Sequence, residues 1–535
     1  MSAEKEEASP AAKPSPASGQ GNAVASRAVL GRAELYCTVF MTGTAVMLIE
    51  ILGTRVIGPV FGVSLFVWSA LLAVTLTSLA VGYYSGGVLA DRRPEPRLLG
   101  AVVLASGVLL GLAPFFGPFM LRAAEGLGPR AGALLAATIF APCLAVLGMV
   151  GPIAVRLSTT DLAAAGHRVG SVYAMSTAGS LAGTLLTGFV LIPAFETDQI
   201  LVGAATLLAL MGGVSMAWRG KPVSLVAVLL PVVASSAAKA PLPTGIRVLD
   251  HAQSLYGLVQ VIEDSKRGVR LLRADHSIIG AQWIADRSAA FSFLHLLETV
   301  WLLRPAAADV LQIGLGIGSL GMSPGGRRRT VDVVEIDPAV VRFAQEYFAF
   351  STRGEIHVED ARTYLRRTDR RYDLIVHDTF TGGSTPEHLL SLEVIQQIHR
   401  ILRPGGVLAL NFVGYENGPH AEATWAVGRT LRAVFPNVRI FRDGAGDDPP
   451  DEPQNLVFFA SEGPLEFEGV VRPPFESEAC ERVLRSFRKW EISPQGREGQ
   501  PITDAHNPLT RLQLAAAEKH FAAMHELLPV EVWLH

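Results

Sequence analysis

Six stretches in the first part of the chain are apolar enough and long enough to cross the roughly 30 Å of a bilayer's hydrocarbon core as helices: Leu35–Ile57, Val63–Tyr84, Leu98–Met120, Ala131–Ile153, Val169–Ile192 and Ile200–Trp218. In lipid every backbone polar group must be satisfied within its own helix, so this part of the chain has one outcome, a helical membrane domain. A weaker stretch, Val223–Ala238, leaves the count between six and seven. Gly82/Gly86 and Gly179/Gly183 have the small-x-x-x-small spacing that lets membrane helices approach closely, which predicts a packed bundle over separate anchors. The composition agrees, since a mean hydropathy of +0.33 with 18% charged residues is too apolar for an ordinary soluble enzyme of 535 residues. Residues 1–30, rich in Ala, Ser, Pro, Glu and Lys and lacking the apolar core of a secretory signal, read as a disordered tail.

Lys and Arg near the span ends give an expected orientation. With the N-terminus in the cytoplasm, Lys5, Lys13, Arg27, Arg32, Arg92, Arg93, Arg97, Arg156, Arg168, Arg219 and Lys221 lie inside, against Arg55, Arg122 and Arg130 outside. Six spans then return the C-terminal half to the cytoplasm, whereas a true seventh puts it on the far side. An enzyme that uses cytoplasmic metabolites favours the cytoplasm, with Val223–Ala238 re-entrant or interfacial. Glu50 and Arg55, five residues apart near the end of the first span, are either an interfacial pair anchoring the helix or a functional group in the membrane. The net charge of −3, with no basic run interleaved with aromatics, argues against a nucleic-acid partner. Cys37, Cys143 and Cys480 are too few and too far apart for a disulfide framework or a four-cysteine metal site, and the histidines show no metal-ligand spacing, so no metal is expected.

After about Pro241 the pattern changes to short β-branched runs alternating with helical ones. Strands are expected at Leu258–Glu263, Val269–Arg273, Val310–Ile313, Val331–Ile336, Glu355–Glu359, Asp373–His377, Val407–Phe412, Val438–Phe441 and Leu456–Ala460. That alternation predicts an open, mostly parallel α/β sheet preceded by a small β segment, with ligands at the carboxyl ends of the strands. The domains are expected at 31–240 for the membrane part and 241–465 for the α/β part, followed by an extension, 466–535, with no chemical signature.

Within the α/β part, Val310–Ile313 runs into Gly314-x-Gly316-x-Gly318, and Glu335 ends the next strand 17 residues after Gly318. A glycine turn admits close backbone approach to a ligand, and a carboxylate at the neighbouring strand tip can take the two hydroxyls of a ribose. Asp337, followed by Pro338, reads as a helix cap. Glu359-Asp360-Ala361-Arg362 closes the third strand, where Asp360, at a third consecutive strand end, is placed for an adenine amino group, against the plainer reading of a helix N-cap. The fourth strand delivers Asp378 beside His377, a carboxylate able to hold and deprotonate an amine, or to cap a loop. His388, in STPEHLLS, is a further acid–base candidate against a plain loop histidine.

These motifs, in this order, resemble the spermidine/spermine synthase family in its membrane-fused form. The soluble half shares SLYG at Ser254–Gly257, GLGIGS at Gly314–Ser319, VVEID at Val333–Asp337, EDA at Glu359–Ala361, YDLIVHD at Tyr372–Asp378 and LRPGGVLALN at Leu402–Asn411. The membrane half shares EILGTR at Glu50–Arg55, Trp68, GGVLADR at Gly86–Arg92 and the run Tyr173–Pro193. The resemblance implies a multi-pass α-helical membrane domain plus a Rossmann-like domain of class I methyltransferase type. It also implies decarboxylated S-adenosylmethionine as co-substrate, with Gly314, Gly316, Gly318, Glu335, Asp360 and Ala361 binding it, and Asp378 as proton acceptor in aminopropyl transfer to an amine such as putrescine. His377 and His388 stand as secondary candidates. The implied partners are a small-molecule amine and the lipid bilayer, with the oligomeric state open and a homo-oligomer included. The chain departs from the family on the amine side: Thr381 replaces a second acid, Gly257 a glutamine, His276 the glycine of an Asp-Gly pair, and apolar Phe291–Leu297 a Tyr-His-Glu cluster. The alternatives are an S-adenosylmethionine-dependent methyltransferase, which the same fold and Glu335 fit, and a transporter or sensor whose nucleoside domain does not turn over.

Overall fold

The computed structural model describes residues 18–62, 65–125, 127–159, 165–221, 227–230, 242–444, 452–467, 477–492 and 499–533. The membrane half comprises α1 (Ser18–Phe61), α2 (Leu65–Arg92), α3 (Pro96–Glu125), α4 (Gly128–Ala137), α5 (Ala141–Ser158), α6 (Ala165–Leu186), α7 (Ile192–Ala194) and α8 (Thr197–Trp218). Among the described residues these supply six spans long and apolar enough to cross a membrane, the fourth formed by α4 with α5 and the fifth by α6 with α7. The breaks follow the prolines. Pro142 stands just after the 3-10 turn Thr138–Phe140, and Pro193 cannot donate back to Phe189, where the helix widens to a π turn over Thr187–Leu191. Helix α1 starts at Ser18, so the expected disordered tail is corrected over residues 18–30: no proline separates them from the span, and the helix continues upstream.

The bundle packs as α1 on α6, α2 on α5 and α3 on α8. A Cβ on Gly82 would run into Ala145 O and one on Gly86 into the Met149 backbone, while Gly179 and Gly183 press on Phe40 and Thr44 of α1. The small-residue spacing therefore marks real helix contacts. Leu76, Tyr84, Leu181 and Phe189 point outward and exposed, as side chains facing lipid do.

The α/β half begins with an antiparallel four-stranded sheet, β1 (Ile246–Gln253), β2 (Leu258–Asp264), β3 (Val269–Ala274) and β4 (Ser277–Trp283). An eight-stranded sheet follows, built from β5 (Asp309–Ile313), β6 (Thr330–Glu335), β7 (Ile356–Val358), β8 (Tyr372–His377), β9 (Leu402–Gly414), β10 (Asn437–Arg442), β11 (Gln454–Ser461) and β12 (Glu491–Ile492). Its order is β12-β10-β11-β9-β8-β5-β6-β7. Strands β5 to β9 run parallel, whereas β10, β11 and β12 pair antiparallel. Strand β5 pairs with β6 on one side and β8 on the other, so the chain reverses direction across the sheet at the tip of β5. In open sheets of this kind ligands bind at that reversal.

The two halves meet at one end of the bundle. Arg55 donates to Ser254 O at 2.8 Å, to Gln253 Oε1 at 3.2 Å and to Leu255 O at 3.0 Å. Phe61 stacks on Phe521 at 5.9 Å, Arg122 pairs with Glu531 at 3.1 Å, Arg130 with Glu518 at 2.9 Å, and Glu196 with His251 at 3.5 Å. The other end of the bundle carries Glu34–Arg219 at 2.6 Å and Asp91–Arg156 at 3.5 Å. The N-terminal end of α1 and the α/β domain therefore lie at opposite ends of the bundle. The expectation had six spans bring the N-terminus and the C-terminal half to the same side and a seventh separate them. That expectation rested on span parity, and Val223–Ala238, on which the parity turns, lies mostly outside the described residues.

Candidate functional site

The carboxyl ends of β5, β6, β7 and β8 form one rim. Gly314, Gly316 and Gly318 all adopt positive φ (85°, 55° and 79°), which L side chains adopt only at a cost. Space reinforces the choice: a Cβ on Gly314 would meet the Asp378 carbonyl and one on Gly318 the Phe350 ring, while Gly316 lies against Ile279 O of β4. The turn thus seats the first sheet on the second.

Glu335 is nearly buried, and its carboxylate accepts from Leu315 N (2.9 Å) and Asp337 N (3.0 Å), so the tip of β6 is fastened to the glycine turn. Burial pushes its pKa up against the lowering effect of those backbone bonds. Asp337 is the expected cap: its Oδ1 accepts from Ala339 N at 2.8 Å and its Oδ2 from Ser254 Oγ at 2.6 Å. A continuous chain of hydrogen bonds accordingly runs from Arg55 on α1 through Ser254 and Asp337 to Glu335.

Asp360 caps the helix Ala361–Arg367, accepting from Thr363 N at 2.8 Å, and its other oxygen lies 3.8 Å from His388 Nε2. Ala361 is buried at the first helical position. His388 therefore belongs with Asp360. Asp378 follows β8: its backbone N donates to Ile313 O of β5 at 2.9 Å, and its Oδ1 accepts from Asn411 Nδ2 at 2.9 Å. Burial raises its pKa and the Asn411 bond lowers it, with burial the larger effect. His377, one residue earlier on the strand, is fully buried, and burial holds its pKa near 4. Strand alternation sends it away from Asp378 and into the core.

Sequence reasoning missed two contributors. Asn411 sits in the apolar run VLALNF of β9 at 4% exposure, and a buried amide there calls for a partner, which is Asp378. The other is the C-terminal extension. Its helix Leu514–Leu527 brings Ala517 against Gly383 and His520 against Phe380 at 4.9 Å, while Gln513 accepts from Thr385 N at 3.0 Å, so it buttresses the loop after Asp378. His520 Nε2 also lies 3.2 Å from Ser277 Oγ, and burial lowers the pKa of His276 and His520 alike to about 4. Thr381, where a second acid was expected by resemblance, is exposed in a tight turn closed on Ser384. Among the described residues one buried trio, His295, Glu298 and Cys480, brings metal-type ligand atoms together, where helix Ser292–Leu297 meets helix Glu478–Ser486.

Residues 307–441 match the family model described as the spermine/spermidine synthase domain. An N-terminal histidine N-methyltransferase of Emericella nidulans is 29% identical over 326 residues, which cover 54% of this chain and 58% of that protein. A polyamine aminopropyltransferase of Vibrio vulnificus is 30% identical over 218 residues, covering 37% of this chain and 70% of that protein. Among solved structures, a probable spermidine synthase from Corynebacterium glutamicum aligns at 18% identity with a TM-score of 0.37, covering 48% of this chain and 99% of that one. An apolar six-span bundle thus carries a transferase domain with an S-adenosylmethionine-type cofactor fold, and the chain belongs to the spermine/spermidine synthase family.

Proposed function

We propose that this protein transfers a methyl group from S-adenosylmethionine to a single nitrogen nucleophile, an amine or an imidazole. The carrying observation is that, among Glu335, Asp337, Asp360 and Asp378, Asp378 is the one with an oxygen engaged by no described group, since Asn411 holds only its Oδ1. Glu335 is engaged by two backbone amides, Asp337 and Asp360 cap helices, and Asp275 accepts from Leu258 N within Coulombic reach of Arg273 and Arg55. Around the loop after Asp378 stand His276 and His520, uncharged at neutral pH, with Phe380 and Thr381. A diamine brings two positive charges into a partly dry site, and each needs an anionic partner. One free carboxylate suits one nitrogen.

The residues fit the nucleoside. Gly314 and Gly316 keep a partly exposed backbone at the β5 turn, Glu335 keeps unused lone pairs for ribose hydroxyls, and Asp360, with His388 3.8 Å from its Oδ2, stands at the β7 tip on the side of an adenine. When bound, the cofactor's sulfonium supplies an electrophilic carbon. Asp378 takes the proton from the attacking nitrogen, and Asn411 fixes which carboxylate oxygen is turned toward its own amide. Rate enhancement comes from alignment and proton removal.

The second reading, aminopropyl transfer from decarboxylated S-adenosylmethionine, is favoured by the family match over residues 307–441. The full-length protein in lipid nanodiscs, given either cofactor with histidine-initiated peptides, free amines and putrescine, separates the two. A methylated acceptor with S-adenosylhomocysteine is the expected product pair. An aminopropylated amine with methylthioadenosine overturns the methyl assignment, and binding without turnover returns the sensor alternative.

A further inference from the structure

The contacts between the halves bear on which side of the membrane the site works. Every bundle residue that touches the α/β domain through a polar or stacking contact given above, Arg55, Phe61, Arg122, Arg130 and Glu196, lies at one end of the spans. Gly62 adds to them, its position packed against the His276 ring. The opposite end holds the start of α1 at Glu34, the α2 and α5 termini at Asp91 and Arg156, and the α8 terminus at Arg219. Trp218 ends the sixth span on that opposite face, yet β1 begins at Ile246 on the domain's face. The chain from 222 to 241 must connect the two faces.

The charges then orient the whole. The face away from the α/β domain carries Arg32, Arg92, Arg93, Arg97, Arg156, Arg168, Arg219 and Lys221, whereas the domain's face carries Arg55, Arg122 and Arg130. All three of the latter are committed to the α/β domain, through hydrogen bonds to the Ser254 loop and ion pairs with Glu531 and Glu518. They are docking residues, which removes them as topology signals and sharpens the asymmetry. Basic loops stay in the cytoplasm.

We propose that the α/β domain lies across the membrane from the basic face of the bundle, and that the transferase site operates on the non-cytoplasmic side. The acceptor is then a nitrogen that has already left the cytoplasm. The cofactor, a charged nucleoside that does not cross hydrocarbon unaided, requires a carrier-type step to supply it. The proposal holds for either transferred group.

The test uses the full-length chain in the inner membrane of a bacterial host. An alkaline phosphatase fused after His535 is expected to be active, and a green fluorescent protein at the same point dark. Independently, Asp369→Cys, at a side chain fully exposed on the α/β domain, should react with a membrane-impermeant maleimide in intact spheroplasts. Arg93→Cys should react only after permeabilisation. Both are scored against the parent chain, whose Cys37 is the exposed cysteine among the described residues, and both must elute as monodisperse protein in detergent. Protection of Asp369→Cys in intact spheroplasts, with a dark phosphatase and a fluorescent C-terminal fusion, overturns the proposal. Labelling of Arg93→Cys without permeabilisation overturns it as well.

Discussion

Arg55 gives the most direct test of whether the membrane bundle takes part in the chemistry. Its guanidinium makes three hydrogen bonds to the Gln253–Leu255 segment, and Ser254 in turn bonds Asp337, whose backbone amide holds Glu335. A hydrogen bond from a charged donor contributes about 1.5–3 kcal/mol where water is excluded. The bond to Leu255 O is exposed and contributes little, while those to Ser254 O and Gln253 Oε1 are partly buried and count for about 1 kcal/mol each after solvent screening. Arg55→Ala should therefore release the loop by about 2 kcal/mol, roughly a 30-fold fall in its held population and an equal fall in nucleoside affinity. Titration calorimetry of S-adenosylhomocysteine and methylthioadenosine into nanodisc-embedded protein reads this directly. Arg122→Ala is the control, since it cuts the exposed ion pair with Glu531 at the same interface without touching the loop, and it should change affinity less than twofold. Equal affinities for Arg55→Ala and wild type refute the coupling. Equal losses in both variants reduce it to a general weakening of the interface.

Three further outcomes follow from the rim. Glu335→Gln should weaken nucleoside binding by about 1.5–3 kcal/mol and lower the melting temperature of the free protein too, because the new amide N–H faces a backbone donor at Leu315 or Asp337; calorimetry and thermal unfolding together check it. Gly314→Ala, at φ 85° and against the Asp378 carbonyl, should cost at least about 1–2 kcal/mol in stability and abolish cofactor binding, and an unchanged melting temperature would contradict the geometry. Asp378→Asn should keep nucleoside affinity but cut turnover by roughly 10²–10⁴-fold. Because burial raises the Asp378 pKa, the active ionised form is lost on acidification at a higher pH than for an ordinary aspartate; Asn411→Leu, which removes the bond that lowers it, should move the acid limb of kcat further up in pH.

Much of this was legible because period and punctuation carry it. The glycine turn, the β-branched runs of β5, β6 and β8 and the apolar spans each follow from backbone sterics or bilayer thickness, and the structure puts Gly314, Glu335 and Asp378 on one rim as strand alternation requires. Strand β1, half-exposed along most of its length, and β4, interrupted by Gly280, escaped because neither shows a clean period of two. Both are fixed by pairing with β2 and β3, which is a tertiary effect. Chemistry beyond the rim was less legible. His520 lies well over a hundred residues from Asp378 in a segment with no motif, and only folding brings it to Phe380. His377 illustrates the reverse error, a residue adjacent to the key carboxylate in sequence and turned into the core by the pleat.

The loop after Asp378 is walled on the membrane side, and that arrangement predicts how the α/β half behaves alone. His276 lies between Gly62 at the end of α1 and Gly382 of the loop, and Phe61 stacks on Phe521 of the C-terminal helix that supports the loop from behind. One apolar core joins membrane residues such as Val60 and Phe61 to Ile262, Leu271, Ile278, Leu528 and Trp533 of the α/β half. Removing residues 1–241 uncovers part of that core, and each large side chain returned to water costs about 1.5–3 kcal/mol. Two or three such side chains consume much of the 5–15 kcal/mol by which a typical domain is stable. The low pKa of His276 comes from the same burial, so its ring should become protonatable near neutral pH once the wall is gone, placing a cation beside the nitrogen acceptor's approach. The fragment 242–535 should therefore aggregate or, where detergent keeps it soluble, bind nucleoside with little turnover. A soluble fragment with wild-type kcat would show that the membrane half contributes only an anchor.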